Sequence, residues 1–116
     1  MNESRPYTTF DEYQEGAEET AIYPNAGHNV DYPLRCLSEE VGELCSIFNK
    51  AERDNNNVLT PEDILKVQKE AGDVLWELSE VCRNTGLSLS NVAYTNMIKL
   101  QHRKKFGKLG GSEDER

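Results

Sequence analysis

Positive charge, histidine and long apolar runs are all scarce in this sequence. Thirteen Lys and Arg stand against twenty-one Asp and Glu, a formal charge of −8. A surface of that sign repels a phosphate backbone, so a nucleic-acid polymer is not expected as a partner. A single nucleotide delivered with cations stays open, because bound cations reverse the local field. No apolar stretch approaches the roughly 18 residues that a membrane span needs, which removes the membrane as well. Cys36, Cys45 and Cys82 show no C-x-x-C spacing. An odd count without a signal peptide argues against a disulfide framework and for a reducing cytoplasm, with all three as small core hydrophobes. Neither His28 nor His102 follows a glutamate as Glu-x-x-His, and that excludes a carboxylate di-iron bundle. Only 36% of the residues are hydrophobic and the mean hydropathy is −0.75. Such a 116-residue chain is expected to be one domain over 1–116. It either carries solvated tails (1–7 and 107–116) or completes its core with a partner.

The apolar residues that are there recur at helical spacing. Thr8 or Thr9 caps a first helix carrying Phe10, Tyr13, Ala17 and Ala21. The segment from Tyr23 to Pro33 holds Pro24, Asn25, Gly27, Asn29 and Asp31 and reads as a loop. Tyr23, His28 and Tyr32 either reach a ligand from it or anchor it. A second helix begins near Pro33, with Leu34, Leu37, Val41, Leu44, Cys45 and Phe48 as its apolar stripe. Asp54-Asn55-Asn56-Asn57 ends it. A calcium loop there is excluded, since Leu59 and Leu65 occupy the positions that need Gly and Glu. Thr60 and Pro61 open a third helix that runs to about Asn84, with Gly86 as a stop. Its apolar stripe is Ile64, Val67, Ala71, Val74, Leu75, Leu78 and Cys82, and Glu70, Asp73 and Glu77 gather on the far side. Trp76 lies off both stripes, which suits an oligomer contact better than a stacking platform. Ser88 or Ser90 caps a fourth helix through about Lys105. The expected fold is all-α, with four to five helices around a central antiparallel hairpin and a bundle completed by oligomerisation.

Chemistry concentrates in two acidic segments. Leu37-Ser38-Glu39-Glu40-Val41-Gly42-Glu43 reads E-E-x-x-E, and Glu70-Ala71-Gly72-Asp73 reads E-x-x-D. Residues three apart lie on one side of a helix, so Glu40 and Glu43 form one pair and Glu70 and Asp73 another. Two such pairs on neighbouring helices can converge on a hard cation, which takes oxygen ligands. Neither Glu40 nor Glu43 has a basic side chain three or four residues away. Like charges that close repel, by up to about 4 kcal/mol for a 4 Å pair near a surface, unless a counter-ion intervenes. The second pair is also compatible with an ordinary solvated face, because Lys66 and Lys69 stand four residues ahead of Glu70 and Asp73. Lys99 and Arg103 share a face of the fourth helix with Asn96 one turn earlier. They are either phosphate ligands or cations favoured by the helix dipole.

E-E-x-x-E, a spacer of twenty-six residues and E-x-x-D followed by Val74-Leu75-Trp76 resembles the all-α MazG-like nucleoside triphosphate pyrophosphohydrolases. The likeness runs from about Tyr13 to Arg116, through Thr20-Ala21-Ile22-Tyr23-Pro24 and Asn96-x-x-Lys99-Leu100-x-x-Arg103. The tail from Gly110 to Arg116 departs from the family's His-Gly-Ser-Gly-Asp-x-Arg, with Gly110 in place of His and Glu113 in place of the second Gly. The resemblance implies cleavage of a nucleoside triphosphate between its α and β phosphates. It also implies a homodimer or a dimer of dimers with nucleotide sites near subunit interfaces. On that reading Glu39, Glu40, Glu43, Glu70 and Asp73 are catalytic, and Glu40, Glu43, Glu70 and Asp73 hold Mg²⁺, for which Mn²⁺ can substitute. Glu39 is the candidate base, and Asn96, Lys99 and Arg103 bind substrate. The alternative is a non-enzymatic helical adaptor that uses its acidic faces for docking and binds no metal.

Overall fold

Thr9, Thr60 and Ser88 each set a hydroxyl oxygen where the first free N–H groups of a helix need an acceptor. In this computed structural model, which describes residues 6–110, they accept from Glu12, Asp63 and Asn91 respectively. Asp63 returns the favour by accepting from the Thr60 N–H at 2.9 Å, a complete capping box behind Pro61. The helices so started are α1 (Phe10–Glu19), α3 (Pro61–Asn84) and α4 (Leu89–Lys105), while α2 (Asp31–Asp54) begins without a side-chain cap. The fold is all-α, with four helices and no strand among the described residues. Boundaries differ slightly from expectation. α1 stops before Ala21, α2 starts two residues ahead of Pro33, and Ser88 rather than Ser90 is the cap.

The α2–α3 hairpin turns on Asn56 and Asn57, whose φ angles of 53° and 60° lie in the left-handed region that Asn tolerates. α3 is the axis of the chain. α2 packs on one side of it and α1 and α4 on the other, and α2 touches neither of those two. Gln14 ties α1 to the α3–α4 connection, donating to Leu87 O and accepting from Leu89 N at 3.0 Å each.

Only part of each apolar stripe faces the other helix across the hairpin. The α2 residues turned to α3 are Pro33, Cys36, Leu37, Glu40, Leu44, Ile47 and Ala51; those of α3 include Val67, Glu70, Val74, Glu77 and Val81. Leu34, Val41 and Phe48, seven apart on α2, are 51%, 42% and 43% exposed. Ile64 and Leu78 of α3 are exposed likewise. Helical geometry puts both sets on one flank of the hairpin, so the acidic residues occupy the interface and its other flank. Cys82 is buried as expected, but Cys36 is half-buried and Cys45 exposed.

Among the described residues the buried apolar set is small: Ala17, Tyr23, Pro33, Ala51, Cys82 and Leu89. The chain exposes 8668 Å², where a compact monomer of this mass exposes about 6,400 Å². Its radius of gyration is 17.0 Å, against about 13 Å for a compact domain of this length. No helix among the described residues is long and apolar enough to cross a membrane. Residues 111–116, and with them most of the tail motif, lie outside the described residues.

Candidate functional site

Helical spacing brings the acidic residues together. Glu40 lies on the face of α2 turned to α3, and Glu43 follows one turn later at its edge. Glu70 comes from the facing stretch of α3. Glu40, Glu43 and Glu70 each offer a carboxylate oxygen, and these oxygens lie within 4.8 Å of one another. Three carboxylates that close repel strongly in a half-buried cleft. Glu70 Oε2 is buried with no hydrogen-bond donor. Burial pushes the Glu40 carboxyl above the usual carboxylate range, and Asp73, Glu43, Glu70 and Glu39 push it further. Asp73 therefore borders the group without joining the tight triad. Glu39 is exposed on the acidic flank.

Lys66 and Lys69 do not neutralise this centre. Neither forms an ion pair with Glu70 or Asp73 among the described residues. Glu70 is half-buried at the interface, while Asp73 is exposed.

Glu77 also belongs to the cleft, although its chemistry was not singled out from sequence. It is 8% exposed and its Oε2 lacks a donor. Desolvation, with Glu40, Glu80, Asp73 and Glu39 around it, pushes its carboxyl up to about 7. The signal was present: Glu70, Asp73 and Glu77 form one helical face, and no basic residue stands three or four positions from Glu77.

One turn beyond Glu77, α3 carries a hydrogen-bonded network. Glu80 is wholly buried and receives Tyr23 Oη–H at 2.6 Å and two Arg83 N–H groups at 2.7 and 2.9 Å. Asn84 donates to Tyr23 Oη at 2.6 Å and accepts from Asn29 N at 2.7 Å. Gly27, at φ +96°, passes so close that a Cβ there would meet Arg83 Nη1 at 2.9 Å. The 20–30 loop is thereby fastened to α3, and Tyr23, stacked on Tyr32 at 4.8 Å, is its anchor. Trp76 is engaged within the chain. Its Nε1–H donates to Thr20 Oγ1 at 2.8 Å and its ring meets Tyr23 edge-on. With Tyr13, Gly16, Ala17 and Thr20 it lines a cavity of about 590 Å³ beside α1. Tyr13 reaches from that cavity toward the acidic cleft, donating to Gly72 O at 3.4 Å and sensing Asp73.

Asn96, Lys99 and Arg103 lie on α4, which packs against α3. They continue the stripe of α4 that begins with Leu89 and Val92, three and four residues apart. Asn96 is exposed, Lys99 half-buried and Arg103 buried, and α4 has no contact with α2.

The triad's donor set is all carboxylate oxygen, in part orphaned, with no resident cation from the chain. Such a set suits a hard divalent ion better than any soft or borderline metal.

Comparison with known proteins bears on the same stretch. Residues 30–107, which span α2, α3 and α4, match the MazG nucleotide pyrophosphohydrolase domain. The chain is also similar to the Gene 37 protein of Mycobacterium phage L5, at 38% identity over 111 residues, covering 91% of this chain and 97% of that protein. No solved structure matches the chain.

Proposed function

Since the chain belongs to the MazG nucleotide pyrophosphohydrolase family, we propose that it hydrolyses a nucleoside triphosphate between the α and β phosphates. The observation that carries this reading is the triad of Glu40, Glu43 and Glu70, converging within 4.8 Å with a Glu70 oxygen buried and unsatisfied. That arrangement is unfavourable unless something positive occupies it. A docking surface would keep its carboxylates in water, whereas Glu40, Glu70 and Glu77 are turned into the interface between α2 and α3.

Glu40, Glu43 and Glu70 would hold Mg²⁺, or Mn²⁺ in its place, with Asp73 alongside. When bound, the ion neutralises phosphate charge and polarises the phosphorus and the water that attacks it. Glu39, exposed at the edge of the cluster, orients that water and takes its proton. The water oxygen bonds to the α phosphorus as the bond to the bridging α–β oxygen breaks, giving a monophosphate and pyrophosphate. Lys99 and Arg103 take outer phosphate oxygens, and Asn96 helps seat the substrate. The cavity beside Tyr13 and Trp76 has room for a base next to Asp73.

We also place the protein in the cytoplasm as a homodimer or dimer of dimers. Three free cysteines support the first. The second is supported by the exposed flank of Leu34, Val41, Phe48, Ile64 and Leu78 and by the surface in excess of a compact monomer. A second copy also offers a route by which α4 cations approach the carboxylates on α2. The test is a panel of ordinary and modified (deoxy)nucleoside triphosphates with Mg²⁺ in ¹⁸O-labelled water. Label in the monophosphate supports attack at the α phosphorus; label in pyrophosphate or inorganic phosphate, or no turnover on any member, overturns it.

A further inference from the structure

Glu77 has no part in the chemistry above, yet it is the most deeply buried acid of the cleft. It lies on the face of α3 turned to α2, about one turn beyond Asp73 and two beyond Glu70. It is 8% exposed, and its Oε2 has no donor. The charged groups around it are Glu40 from α2, Glu80 and Asp73 from its own helix, and Glu39, all of one sign. The cation nearest in sequence, Arg83, is committed to Glu80 by two hydrogen bonds. Cys36 faces Glu77 from α2 and offers only a thiol whose own ionisation burial disfavours. A buried carboxylate in such company is satisfied by a proton or by a metal ion, and only the ion also relieves Glu40 and Asp73.

We propose that Glu77 is a further carboxylate ligand for a hard divalent cation, reached from the Glu40 side of the cleft. This rests on the metal-dependent reading of the preceding section. It extends the metal-binding face of α3 from Glu70 and Asp73 to a third acid, and it accounts for the placement of an ionisable group between two packed helices. The inner position has low access to water, so a ligand there holds its ion whether or not a nucleotide is bound.

The experiment is a Mn²⁺ titration without nucleotide, followed by electron paramagnetic resonance and calorimetry, on the wild type, Glu77→Gln and Glu77→Met. Melting temperatures are taken in EDTA for all three. Both variants are expected to fold, to melt at or above the wild-type temperature without metal, and to lose at least tenfold in Mn²⁺ affinity or one ion per chain. Unchanged affinity and stoichiometry in both variants would overturn the assignment while leaving the catalytic reading intact. So would failure of both to fold in EDTA, which would make the carboxylate a requirement of the metal-free structure. A wild type that binds no Mn²⁺ overturns the metal-dependent reading itself.

Discussion

Without metal, the protein should become less stable as the pH rises from 5 to 8. Glu77 titrates near 4.5 in an unfolded chain and near 7 in the fold, chiefly through desolvation. Between those values the folded state binds a proton that the unfolded state has lost. The stabilisation from that proton is fully present below about 4.5 and is gone once the pH passes about 7. Each pH unit between the two is worth about 1.4 kcal/mol, so the loss is about 3 kcal/mol. For a chain of this length that corresponds to a fall of about 12 °C in melting temperature. Glu40, raised by burial and by Asp73, acts in the same direction. Asp54 and Asp63, held below the usual range by Arg53 and by the Thr60 cap, titrate outside the window and leave it undisturbed. The assay is thermal denaturation in EDTA at fixed protein concentration, at half-unit steps from pH 5 to 8. Glu77→Gln should flatten most of the slope and should not lower the melting temperature at pH 8. A wild-type melting temperature that is level or climbs across this range would refute the reasoning, because Glu77 would then be satisfied by a partner already in the fold.

Other outcomes follow from the same geometry. Millimolar Mg²⁺ or Mn²⁺ should raise the melting temperature at pH 8, by about 2.7 kcal/mol at a hundredfold excess over the dissociation constant, or about 11 °C; no shift would count against a metal site. Tyr23→Phe removes a hydroxyl that donates to Glu80 and accepts from Asn84, which should cost about 1–3 kcal/mol. Unaltered melting curves would show that the loop is fastened by packing alone. Lys99→Ala should raise KM or lower kcat for triphosphates while Mn²⁺ affinity stays within twofold of the parent. Kinetics identical to the wild type would remove α4 from the substrate site.

Local chemistry made much of this legible in the sequence. Thr60-Pro61 followed by Asp63 announces a helix start, and the two acidic motifs converge because their spacing matches the helical repeat across a short hairpin. The side of the hairpin was not legible. An apolar stripe is expected to face the core, and Leu34, Val41 and Phe48 form one, yet the chain exposes it and turns Glu40, Glu70 and Glu77 inward. That rule assumes a chain that closes its own core, and this chain does not bury enough apolar surface to do so. The hydrogen bonds of Trp76 and Tyr23 were not legible for another reason. Their partners, Thr20 and Glu80, lie 56 and 57 residues away, and no pattern in a single sequence pairs residues so distant. Glu77 was within reach of sequence reasoning, since it completes a helical face with Glu70 and Asp73. Spacing alone leaves that face equally compatible with a solvated surface.

The most direct test sets catalysis against stability at one position. Pyrophosphate release from the best triphosphate of the panel is measured with Mg²⁺ for the wild type, Glu43→Gln and Asp73→Asn, alongside melting temperature in EDTA. Both changes keep side-chain shape and remove one negative charge from a crowded cluster. Turnover should collapse while metal-free stability holds or rises slightly, because a cation ligand is lost and repulsion is relieved. Pyrophosphate release at the parent rate from both variants would contradict the claim that these carboxylates carry the reaction.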